Sequence, residues 1–84
     1  MINSKDIENL LEKLEKRYRR YCYDYWCGAH GGNEHVQGVS RVRIEEVLFV
    51  MEELNSGIYS DFKDYERIMT VGEEACKFKQ KETI

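Results

Sequence analysis

A mainly α fold is predicted: a compact three-helix arrangement with a long glycine-rich loop between its first two helices. Three features carry this expectation. Apolar residues recur at three- and four-residue spacing in three stretches. No proline interrupts any of them, and four of the six glycines, Gly28, Gly31, Gly32 and Gly38, gather after the first stretch.

The first helix is expected over about residues 4–26, where Ile7, Leu10, Leu11, Leu14, Tyr18, Tyr21, Cys22 and Tyr25 form one stripe and Asn3 or Ser4 caps the start. The second, over about 41–55, follows Ser40 as N-cap. It places Ile44, Val47, Leu48, Met51 and Leu54 on one face before "NSG" at 55–57 stops it. The third, over about 61–80, begins near Ser60 or Asp61 and turns Phe62, Tyr65, Ile68, Met69, Gly72 and Cys76 inward. A mid-helix glycine at 72 weakens it by roughly 1 kcal/mol relative to alanine. Between the first two helices, residues 27–39 read as a loop, with room for a short strand near 35–43. Loops of that length need their own reason to be ordered.

The 84 residues amount to one domain, near the size at which a hydrophobic core alone supplies little net stability. A 42% apolar content with six tyrosines, three phenylalanines and one tryptophan still argues for a folded chain. No apolar run approaches the ~20 residues that span a bilayer, and the polar start "MINSKDIEN" is unlike a signal peptide. A cytoplasmic protein is therefore expected. There, three cysteines are thiols or metal ligands rather than a disulfide framework.

Both histidines and two of those cysteines lie in "CYDYWCGAHGGNEH", spaced as Cys22-x4-Cys27-x2-His30-x4-His35. Zinc takes four tetrahedral ligands of these types, and a glycine-rich turn lets the backbone wrap the ion. A structural zinc site on Cys22, Cys27, His30 and His35 is thus expected to order the loop. Five residues along an ideal helix rotate a side chain by about 140°, so Cys22 joins the set only if the helix unwinds near Trp26. Otherwise Cys76 completes it. The competing reading makes Cys22 and Cys76 small core residues and both histidines polar loop side chains.

The net charge of −3 is unevenly spread. Basic residues crowd into "KRYRR" at 16–20, whereas residues 44–74 carry nine acidic and two basic side chains. No nucleophile and no phosphate-binding glycine loop accompanies the carboxylates, so an enzyme is not expected. As a binding surface, Glu45, Glu46, Glu52, Glu53, Asp61 and Asp64 present negative charge to a basic partner. Tyr23 and Trp26, off the apolar stripe of the first helix, are candidate interface anchors. The "KRYRRYCYDYW" run interleaves cations with aromatics, as surfaces that stack on bases do. In the simpler reading its tyrosines belong to the core and its cations to a solvated face.

Together, the short proline-free chain, the acidic segment, the tyrosines and the "CYDYWCGAHGGNEH" cluster resemble the small phage-encoded anti-CRISPR proteins of the type II-A group, among them its zinc-containing inhibitors. The likeness is one of size, charge and cluster, without a shared motif, so no residue roles carry over. It implies a protein that binds the RNA-guided type II CRISPR nuclease of the host bacterium and blocks DNA loading or cleavage. Two other classes stay open: a small nucleic-acid-binding or transcriptional regulator, and an oligomeric protein holding an anionic nucleotide.

Overall fold

The computed structural model describes residues 4–54 and 60–82, and every regular element among them is helical. Helix α1 spans Ser4–Gly31, α2 spans Glu34–Leu54, a short 3-10 turn spans Ser60–Lys63, and α3 spans Tyr65–Glu82. The proposed caps at Asn3 and stop at 55–57 lie outside the described residues.

The three-helix arrangement is as expected, but the corner between the first two helices is not. There is no loop over 27–39 and no strand near 35–43: α1 continues through Trp26 to Gly31, and α2 starts at Glu34. The reversal takes two residues. Gly32 adopts the left-handed backbone (φ 68°) that favours glycine. The Asn33 amide then donates back to the Gly28 carbonyl at 2.8 Å, the six-to-one bond of a Schellman C-cap. Asn33 also caps the next helix. Its Oδ1 accepts from the Val36 amide at 3.1 Å, and its carbonyl accepts from the Gln37 amide at 3.1 Å. Ser40, expected as the N-cap, is instead a buried mid-helix residue. The physical reason is that glycine costs only about 1 kcal/mol per helical position, and packing repays it. A Cβ at Gly28 would stand 3.1 Å from Val36 Cγ1 and 3.2 Å from the Asn33 carbonyl oxygen, so glycine lets α2 fold back closely.

The core joins all three helices. Leu14, Tyr18 and Cys22 of α1 meet Ile44, Val47, Leu48 and Met51 of α2 and Ile68 of α3. The backbones of α2 and α3 pack against α1 but not against each other, and the Ser60–Lys63 turn lies between α2 and α3. Three side chains tie that turn down. The Tyr18 hydroxyl donates to the Phe62 carbonyl at 2.9 Å, Arg41 donates to the Lys63 carbonyl at 3.3 Å, and the Arg67 guanidinium sits 4.9 Å from the Phe62 ring centre. With α1 as spine, the molecule measures 45 × 30 × 18 Å.

α3 crosses α1 at Gly72. A Cβ there would lie 2.6 Å from Trp26 Cβ and closer still to the Cys22 carbonyl oxygen. The glycine that weakens the isolated helix is what permits the crossing.

No helix among the described residues is long and apolar enough to cross a membrane.

Candidate functional site

The proposed metal ligands do not converge. Cys22 is fully buried in the core, and its thiol is pushed up to about 12, first by burial, against the smaller opposing influence of the neighbouring Tyr18 hydroxyl. A thiol held protonated is a poor metal ligand. His30 is exposed near the end of α1, its ring 4.1 Å from that of Trp26. Cys27 and His35 do share one shallow recess at the α1–α2 corner, of about 290 Å³, with Asp24 and Arg43 on its wall. Two such donors fall short of the four a structural zinc site takes. Among the described residues, no three His, Cys, Asp or Glu side chains are grouped to hold a metal. Cys76 lies half-buried on α3.

The acidic candidates divide between elements. Glu45, Glu46, Glu52 and Glu53 are on α2, whereas the exposed Asp61 and Asp64 belong to the turn before α3. Glu45 pairs with Arg41 at 3.5 Å. Seven-residue spacing places Glu46 and Glu53 on the outward side of α2, opposite Ile44 and Met51. In line with them are Val39, Val42, Phe49 and Val50, all exposed: Phe49 keeps 65% and Val42 54% of its surface. α2 is thus apolar on two sides, one in the core and one facing solvent. Sequence reading missed the outer stripe because starting the helix at 41 removes Val39. The spacing 39, 42, 46, 49, 53 was nonetheless there to be seen.

A second feature opens between α1 and α3. A groove of about 910 Å³ is lined by Lys16, Arg19, Arg20 and Tyr23 from α1, by Phe62 of the turn, and by Arg67, Glu74 and Phe78 from α3. Its floor includes Tyr18, whose hydroxyl is held above the ordinary phenol range by burial first and by Cys22 next. The basic stretch at 16–20 therefore divides as the simpler reading expected: Tyr18 enters the core, while Lys16, Arg17, Arg19 and Arg20 are exposed, three of them along the rim of this groove. Tyr23 stands on the ridge between groove and corner recess, and Cys27 raises its hydroxyl pKa by hydrogen bond and by charge. Trp26 is half-buried with its Cβ against Gly72, so it belongs to the helix crossing more than to a free anchor. Arg67 and Phe78 were not legible as site residues, since nothing in the sequence ties α3 to residues 16–23.

Compared with protein-family models, curated proteins and solved structures, the chain matches none of them.

Proposed function

We propose that the protein acts by binding another protein rather than by catalysis, and that its target is an RNA-guided type II CRISPR nuclease, as its resemblance to the anti-CRISPR group implies. The observation that supports this reading is the outward face of α2. Val39, Val42, Phe49 and Val50 offer an apolar centre, and Glu45, Glu46, Glu52 and Glu53 supply negative charge within and beside it. Protein interfaces have that anatomy, apolar in the middle and polar at the rim. The charge selects a partner with a basic surface, and such nucleases hold nucleic acid in positively charged channels.

The test is a DNA-cleavage assay with purified, guide-loaded nuclease, run beside a direct binding measurement. The parent protein is expected to bind and to slow cleavage. Phe49→Ala and the double reversal Glu46→Lys/Glu53→Lys should each weaken binding by about tenfold or more, the cost of a typical interface anchor. All three positions face solvent, so folding should be retained. Cleavage unaffected by saturating parent protein would refute the assignment.

A further inference from the structure

We infer that the groove between α1 and α3 is a binding site for a nucleoside phosphate carrying at least two phosphate charges. This stands independently of the α2 face, with which it shares no residue. Lys16, Arg19, Arg20 and Arg67 converge on the groove, and Glu15 and Glu74 also line it, leaving an excess of two positive charges. None of the four cations takes part in an ion pair among the described residues, where the pairs are Arg41 with Glu45 and Lys77 with Glu73. Four cations against two carboxylates, none of them ion-paired, leave the concavity with a net positive potential that attracts a polyanion. The Arg67 guanidinium lies over the Phe62 ring, 4.9 Å from its centre.

The remaining lining selects more than an inorganic anion. Tyr23 and Phe78 put aromatic rings on the walls, and Phe78 keeps 65% of its surface exposed, which leaves its ring open to a ligand. A purine or pyrimidine face stacks on such rings. Glu15 and Glu74 supply acceptors that phosphate cannot use and ribose hydroxyls can. The dimensions agree as well. Lys16 to Tyr23 covers about 10 Å of helix at 1.5 Å per residue, the reach of a nucleoside diphosphate, and a volume of about 910 Å³ lies within the range of small-molecule sites.

Calorimetric titration of the full chain with ATP, ADP, adenosine, inorganic phosphate and a ten-nucleotide single-stranded DNA tests this. ATP and ADP should bind, adenosine and phosphate at least about tenfold more weakly, since charge-assisted contacts and stacking are then separated. Arg19→Gln/Arg20→Gln should lose about tenfold or more in ATP affinity, and Phe78→Ala should lose affinity for ATP while leaving the weak phosphate binding unchanged. All three side chains are exposed, and unaltered circular dichroism would show that the fold is kept. Equal affinity for adenosine and ATP, or no nucleotide binding at millimolar concentration, would overturn the inference. So would binding of the oligonucleotide alone, which would make the groove a single-strand track.

Discussion

Gly72→Ala tests how α3 is seated. A Cβ at 72 would lie 2.6 Å from Trp26 Cβ, against the 3.4–4 Å of ordinary contact, so α3 must retreat from α1 by about 1 Å. The nearest obstacle is the Cys22 carbonyl, which is backbone and cannot swing aside as a long side chain can. Overpacking of this kind costs about 3 kcal/mol at the upper end, while alanine returns about 1 kcal/mol of helix propensity. The net expectation is a loss of about 2 kcal/mol, a large share of the stability of so small a domain. Gly38→Ala supplies the control. It is also inside a helix, but nothing lies within 4 Å of its Cβ position, so there only the propensity gain of about 0.5–1 kcal/mol applies. Urea denaturation followed by circular dichroism gives both values from the shift in midpoint at constant slope. Opposite signs are expected. Stabilisation by alanine at both positions would mean that the helices do not cross at Gly72.

Two further outcomes follow from the corner and the core. Asn33→Ala should cost about 1 kcal/mol by removing the cap of α2, read as a lower urea midpoint at constant slope. An unchanged midpoint would mean that Asn33 does not cap α2. Cys22 has its thiol pushed from 9.0 up to about 12, so its contribution to stability is complete below about pH 9 and is lost as pH rises towards 12. Tyr18, raised above 10.0 by burial, acts in the same direction at higher pH. Urea midpoints should therefore be level from neutrality to about pH 9 and then decline, and Cys22→Ala should move the onset upward. An onset unchanged in that variant would assign the decline to other groups.

The helix faces were largely legible because burial follows a 3.6-residue period: Leu14, Tyr18 and Cys22, then Ile44, Val47, Leu48 and Met51, then Ile68 face inward as their spacing requires, whereas Leu10 and Tyr65, expected on the same stripes, are exposed. The corner was not. Four glycines with two histidines suggest a loop by composition, yet whether glycine breaks a helix or lets another chain approach depends on what lies beside it. Gly28 has Val36 beside it, Gly72 has Cys22 and Trp26, and Gly38 has nothing. No local pattern separates these cases. The same limit hid the groove, whose walls come from residues 16–23 and 62–78 and meet only through tertiary contact. The acidic character of α2 was readable from charge alone, but its outer apolar stripe depended on knowing where the helix begins.

The two-residue turn at Gly32 and Asn33 bears on the order in which the chain folds. α1 and α2 meet first through residues a few positions apart at that turn, and each later pair is brought near by the one before it, so the hairpin can zip outward at small entropic cost. α3 has no such neighbour: Ile68 and Gly72 must find Cys22 across some fifty residues of chain. Amide hydrogen exchange should record this as a ranking, with α3 opening at lower free energy than the facing turns of α1 and α2. The groove, having one wall on each, would then be completed last and, when α3 lifts away, lost first.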